Sequence, residues 1–301
     1  MASPTLVSVV LPVYNGARYL PAAIASILDQ THRDLELIVI DDGSTDTSRS
    51  VAEGYAARDA RVRVVSRGNR GLVATLNEGL ELARAEFVAR MDADDIAEPL
   101  RFERQVAYLE AHANCVALGT RVLLIDPDGD ALMEMIDHRE HAAIDQAHLA
   151  GGASQICHPS VMMRRSAVAR VGGYRERYNT AEDLDLFLRL AEVGELANLA
   201  EPLLRYRQHL GSIGYEKAVL QWETAHAAIQ DARQRRGMSM LAPRNIQHQA
   251  RVAADEHHKW AWWALLGRNP RVARKHALRA IAAKPFDSGN VKLLFCALRG
   301  R

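Results

Sequence analysis

The sequence predicts an α/β fold, with a mostly parallel central sheet covered by helices on both faces and a helical extension at the C-terminal end. Three observations carry that reading. Short apolar runs rich in β-branched residues alternate with amphipathic stretches at intervals of roughly 20 to 30 residues. Polar clusters stop those runs at their C-terminal ends, where open α/β sheets bind ligands. Past residue 215 the periodicity becomes almost wholly helical.

Residues 6–13 (LVSVVLPV) form a buried strand closed by Tyr14-Asn15-Gly16. A helix follows, with Pro21 suited to its first turn and Leu20, Ala23, Ile24, Ile27 and Leu28 at helical spacing. Residues 35–40 (LELIVI) are a second strand, running into Asp41-Asp42-Gly43-Ser44-Thr45-Asp46. Helix 51–57, strand 62–66, helix 72–83 and strand 86–91 continue the alternation, the last stopping at Asp92-Ala93-Asp94-Asp95. Right-handed crossovers put all these strand ends on one edge, so the three polar clusters are expected to form one site. A helix at 100–111, a strand at 116–125, a hairpin-like turn at 127–130 and a helix at 181–193 come next. The helical tail breaks near 237–243 and at Lys284-Pro285. The expected domains are 1–214, with a donor half over about 1–100 and an acceptor half over about 101–214, and a basic helical region over 215–301.

Composition is that of an ordinary globular protein: 48% hydrophobic, 25% charged, net charge +1, so bulk charge points to no nucleic-acid partner. The charge is uneven. From Lys259 to Arg301 there are ten Lys or Arg and one acid, Asp287, about +9 against about −8 for the preceding chain. Cys115, Cys157 and Cys296 are far apart and odd in number, which fits a reducing compartment better than a disulfide framework. No signal peptide and no membrane-spanning run is recognisable. A cytoplasmic protein is expected, with peripheral attachment at the inner face of the cell membrane left open.

Asp92, Asp94 and Asp95 crowd three carboxylates into four positions, which is costly unless a cation or protons neutralise them. Divalent cations such as Mg²⁺ take carboxylate oxygens, often one or two from protein and the rest from phosphates. A solvated turn before a helix would explain the triplet without any ligand. Asp41-Asp42-Gly43-Ser44 reads as a turn, or as an acceptor for a base N–H or a ribose hydroxyl. Tyr14 stacks on a base or covers the sheet edge.

These pieces together resemble the inverting, nucleotide-sugar-dependent glycosyltransferases of the GT-A fold, family 2. The matching stretches, in the family's order, are VSVVLPVYNG (7–16), IVIDDGSTD (38–46), GLVATLNEGL (71–80), FVARMDADD (87–95), PLRFERQV (99–106), HPSVMMR (158–164), GGY (172–174), AEDLDLFLRL (181–190) and LLRYRQH (203–209). The resemblance implies that Tyr14 and Asp42 recognise the base, with Pro12 nearby. It gives Asp92 and Asp94 as the DxD that holds ribose and metal, with Asp95 sharing the task. It implies a divalent metal, Mn²⁺ or Mg²⁺, with His209 a further metal or diphosphate contact, and Asp183 of the Glu182-Asp183 pair as catalytic base. Where one variant of the family carries Arg, this chain has Leu76, so no phosphate role falls there, and Asn77 reads as structural. His158 either shapes the acceptor pocket or is a satisfied structural histidine; Arg101 and Gln105, one turn apart, could brace the DxD loop.

The residues around Asp183 add a helical-wheel argument. Leu184, Leu186, Phe187, Leu188, Leu190 and Ala191 fill one arc, and Asp183 projects inside it, between Leu190 and Phe187. Glu182, Asp185, Arg189 and Glu192 fall on the opposite, polar side. Burial would raise the Asp183 pKa toward that of a general base, while the helix N-terminus pulls it down. The expected reaction is one in-line displacement that inverts the anomeric carbon of a UDP- or dTDP-sugar. The expected acceptor is a glycan or lipid-linked hydroxyl in bacterial cell-surface polysaccharide synthesis. One carboxylate suffices when the metal assists departure; a glycosidase needs two. Rival readings are a non-catalytic nucleotide-sugar-binding scaffold and a sugar-1-phosphate nucleotidyltransferase, whose Gly-rich loop after the first strand is replaced here by Pro-Val-Tyr-Asn-Gly. Trp260, Trp262 and Trp263 precede a run of arginines, a pattern that fits either a membrane interface or a packed helical cap.

Overall fold

The computed structural model describes residues 5–135, 138–151, 154–211, 218–242 and 253–300. In chain order the strands are β1 (Val7–Val13), β2 (Leu35–Asp41), β3 (Val62–Ser66), β4 (Phe87–Arg90), β5 (Ile96–Ala97), β6 (Cys115–Ile125), β7 (Ala131–Met135), β8 (Met162–Arg164) and β9 (Glu195–Arg207). The α-helices are α1 (Leu20–Leu28), α2 (Ser48–Ala56), α3 (Leu72–Leu82), α4 (Arg101–Ala111), α5 (His141–Leu149), α6 (Arg165–Arg170), α7 (Glu182–Leu190), α8 (Ala218–Arg235), α9 (Ala253–Leu266), α10 (Pro270–Ala283) and α11 (Ser288–Arg299). The helical start expected at 215 lies outside the described residues.

The strands form one sheet in the order β3-β2-β1-β4-β8-β6-β9-β5, with β7 paired to β6. The first half is parallel: β1 lies between β2 and β4, and β2 pairs β3. Direction reverses at β8, which runs antiparallel to both β4 and β6. Every residue of β1 and β2 is buried. That is why both runs are mostly apolar instead of alternating: both faces are covered, and the buried Ser8 and Glu36 hydrogen-bond each other. Val10 of β1, Ile38 and Ile40 of β2 and Val88 of β4 meet Val73 and Leu76 of α3 and Leu186, Phe187 and Leu190 of α7 in one core. Val9, Leu11, Leu37 and Val39 alternate to the other face and are fully buried as well.

The chain divides into two compact units: 1–122, 137–204 and 220–242 in the first, 123–136, 205–219 and 243–301 in the second. The first holds the parallel half of the sheet, helices α1 to α7 and nearly all of α8. In the second, α9, α10 and α11 pack on one another and α9 on β7. Trp260 is fully buried in that bundle, with its edge toward His257 and His276. Trp262 donates its indole N–H to His258 at 3.0 Å, and Trp263 lies under the Lys259 ammonium. Trp260 is therefore part of the core of that bundle.

Candidate active site

The C-terminal ends of β1, β2 and β4 do converge. Asn15, held at φ 52, donates its backbone N–H to Ser44 Oγ at 3.0 Å, and its side-chain oxygen accepts from Thr45 N at 2.8 Å. Gly16 N donates to Ser48 Oγ and Ala17 N to Asp46. A Cβ on Gly16 would lie 3.4 Å from Ala93 Cβ, so the loop after β1 also abuts the acidic loop after β4. Between these loops Tyr14 projects with 56% of its surface exposed, an open aromatic face at the sheet rim.

Asp42 is buried at the same rim. One carboxylate oxygen accepts from Arg70 N at 2.8 Å and from the Arg67 guanidinium, the other from Gly71 N at 3.0 Å. Those bonds shape the 67–71 loop that leads into α3. Gly43 beside it has φ +77, and a Cβ there would sit 2.6 Å from Asn69 N, so only glycine fits this bend. Pro12 is buried in β1 opposite Ile40.

After β4, one oxygen from each of Asp92, Asp94 and Asp95 lies within 4.8 Å of the others. Asp95 is buried, while Asp92 and Asp94 are half-buried. Arg90, the last residue of β4, is buried and forms an ion pair with Asp92. Its Nε and Nη1 are buried without a hydrogen-bond partner among the described residues. Burial pushes the Asp92 carboxyl up to about 6; Arg90 opposes that shift and Asp94 adds to it. From below, Arg101 of α4 is fully buried and donates to the Arg90 carbonyl at 2.9 Å and to Met91 Sδ at 3.4 Å. Gln105 accepts from Arg101 Nε and donates to the carbonyls of Leu118 and Ser160. Arg101 thus holds the end of β4 from which the acidic loop leaves, and Gln105 holds Arg101.

Asp183 stands in the first turn of α7, half-buried. Burial raises its pKa, against the Leu184 N–H at the helix start and the positive charge of Arg90. It lies near enough to Asp92 for its charge to raise that carboxyl. Glu182 is buried, accepts from Thr180 N at 3.0 Å, and is raised to about 7 by burial and by the neighbouring Asp183. The polar side of α7 is packed against the protein. Asp185 and Arg189 are buried together as an ion pair, and Glu182 is buried too. Asp183 is the most accessible of the four polar side chains within α7, which suits a group that must reach a substrate. Arg175, which reaches both Asp185 and Asp231 of α8, comes from outside the helix, so the wheel alone does not reveal this packing.

His158 is buried, with Nε2 2.8 Å from the Tyr174 hydroxyl and its ring edge-on to Phe187. Burial and then Arg90 drive its pKa well below the usual value, so it is neutral. Asn77 clamps the Tyr174 backbone through two hydrogen bonds of 2.9 Å, one to N and one to O. His209 lies in the second unit, beyond the end of β9, and its role rests on the resemblance alone. Sequence reading passed over Arg90 and Tyr174. The signal for the first was a charged residue ending the apolar run FVAR immediately before the acids.

This constellation defines a carboxylate-rich, aromatic-edged site at the switch edge of an α/β sheet. The model of Glycosyl transferase family 2 matches residues 8–172, and the chain belongs to that family. EpsE of Bacillus subtilis (strain 168), whose name calls it a glycosyltransferase, is 36% identical over 69% of this chain and 75% of its own. The O-antigen biosynthesis glycosyltransferase WbnJ of Escherichia coli is 30% identical over 75% of this chain and 88% of its own. Among solved structures, S. aureus TarS 1–349 with UDP-GlcNAc superposes with TM-score 0.63 at 15% identity, covering 99% of this chain and 92% of that one. The mannosyltransferase PcManGT of Pyrobaculum calidifontis, in complex with GDP-Man and Mn²⁺, gives 0.55 at 19% identity, covering 97% and 79%. The GT-A fold is thereby established.

Proposed function

We propose that the protein is a metal-dependent, inverting hexosyl- or related transferase. It would move a sugar from a UDP- or dTDP-linked donor to a hydroxyl of a glycan or lipid-linked acceptor in cell-surface polysaccharide synthesis. The observation that carries this reading is the Asp92–Asp94–Asp95 cluster after β4, with Asp183 of α7 near enough for its charge to act on Asp92 and Tyr14 exposed after the neighbouring β1.

The donor set fits a hard divalent cation: three carboxylate oxygens within 4.8 Å, with no sulfur or imidazole among them. Asp94 and Asp95 would hold the cation and Asp92 the ribose; when bound, the metal supplies Lewis-acid stabilisation of the departing diphosphate. Tyr14 offers its ring to the base, and Asp42 orders the loop against which the base would lie. Asp183 accepts the acceptor hydroxyl's proton as that oxygen attacks the anomeric carbon from the face opposite the diphosphate. Its raised proton affinity suits that task. Glu182 and His158 shape the wall behind it, His158 as a neutral hydrogen-bond partner of Tyr174. His209 is assigned a metal or diphosphate contact by the resemblance. Work at the inner face of the membrane, through the basic C-terminal region, belongs to the same proposal.

A thermal-shift screen of UDP-, dTDP- and GDP-sugars with Mn²⁺ tests donor use, because ligand stabilisation follows affinity. At least one donor should raise Tm with metal, and Asp94→Ala should lose the metal-dependent part. No shift with any donor would refute the reading.

A further inference from the structure

The last helix of the second unit turns an apolar stripe outward. On α11, Asn290, Leu293 and Ala297 are buried, and the helix packs on α9 and α10. Val291, Phe295 and Leu298 are 55%, 52% and 61% exposed. At about 100° per residue these three fall within roughly 60° of one another, on the side away from Leu293 and Ala297. Exposed Lys292 and Arg299 flank them, and the Arg299 guanidinium lies 3.9 Å from the Phe295 ring centroid. Phe286, in the loop leading into α11, is fully exposed. On α10, Arg271, Arg274 and Leu278 are exposed at spacings of three and four, so they share its outer face.

A single exposed apolar side chain needs no explanation. A row of three with cations alongside is different, and its charge selects the occupant. Neither α10 nor α11 contains an acid; Asp287, just before α11, is spent capping Gly289 N and Asn290 N. Two copies meeting on this stripe would bring Lys292 and Arg299 of one against those of the other, like charge on like. An anionic lipid surface satisfies both components, with apolar side chains entering the acyl boundary and cations at the phosphate level.

We propose that the outer face of α11, centred on Val291, Phe295 and Leu298, docks on an anionic bilayer, aided by Lys292, Arg299 and the α10 arginines. This names the surface for the membrane contact proposed above and is independent of sugar transfer. The tryptophans play no part in it.

Flotation of the full chain with phosphatidylcholine vesicles, with and without phosphatidylglycerol, tests this without donor or metal. The wild type should float with anionic vesicles at low salt, not with neutral ones, and release as salt rises. The triple change Val291→Ser, Phe295→Ser, Leu298→Ser should reduce bound protein at least about fivefold, as should Lys292→Glu with Arg299→Glu. Both sets lie at exposed positions, and an unchanged Tm shows that they still fold. Binding by the triple variant equal to wild type, or no binding of wild type to anionic vesicles, overturns the proposal. So does a lipid-free dimer that the triple variant abolishes. Donor-induced thermal shifts of the same variants report separately on the nucleotide-sugar reading.

Discussion

Arg90 ends an apolar strand, pairs with Asp92 and leaves Nε and Nη1 without a hydrogen-bond partner among the described residues. Arg90→Met would leave the Asp92 carboxylate without its buried partner, and removing one member of such a pair costs about 3 kcal/mol. A denaturant titration checks this; a loss under about 0.5 kcal/mol would show that the pair is idle. Tyr14 presents the opposite case. Its exposure means that Tyr14→Ala should leave Tm nearly unchanged, yet weaken nucleotide binding by about tenfold if the ring stacks on the base. Equal affinity by calorimetry would make it a mere edge cover. The acidic triplet and Asp183 were legible as side chains able to do this chemistry. The partners of Asp42 were not, because Arg67, Arg70 and Gly71 come from another loop and nothing in a DDGS turn names them.

At the scale of elements, the turn between β6 and β7 shows how the second unit is held. Asp126, Asp128 and Asp130 surround the Lys275 ammonium of α10, and His276 Nε2 lies 2.9 Å from Asp126. Burial alone would raise the Asp126 pKa, but the bonds from His276 and Lys275 hold it well below the usual carboxylate range. Its folded proton affinity is depressed, so the stability it contributes is complete above the ordinary carboxylate pKa of about 4 and is lost as pH falls below that. Lys275→Met removes the ammonium while keeping the stem, and should cost about 3 kcal/mol at neutral pH. Urea unfolding followed by tryptophan fluorescence reads this through Trp260; an unchanged midpoint would mean the clasp contributes nothing. The hairpin turn was visible in Pro127-Asp128-Gly129-Asp130. Its grouping with the C-terminal helices was not, because the lysine that neutralises it lies 145 residues away. Strand and helix positions through residue 125 were legible within a few residues, since burial on both faces left mostly apolar runs at β1, β2 and β4. The burial of the polar side of α7 was not legible for the converse reason: charge that is paired inside reads the same as charge in water.

On the scale of the whole molecule, the first unit carries a built-in pH dependence. His148 is buried, accepts from Gln155 N through Nε2 at 2.8 Å, and burial lowers its pKa to about 4. Unfolding raises that affinity to the ordinary value near 6.5, so the unfolded chain binds the extra proton. The contribution of His148 is therefore complete above about pH 6.5 and falls toward pH 4 by about 1.4 kcal/mol per unit. Glu182 and Asp92, raised to about 7 and about 6, work in the opposite sense, so the effect is read as a difference. His148→Gln should flatten the fall of unfolding free energy between pH 6.5 and 5 relative to wild type. Parallel curves would contradict the assignment.

The account as a whole stands on Asp183 as the group that takes the acceptor's proton. The direct measurement is single-turnover sugar transfer by Asp183→Asn, beside donor affinity by calorimetry on the same preparation. Transfer should fall by about a thousandfold or more while donor affinity stays within about threefold. Turnover within a few-fold of wild type would contradict it.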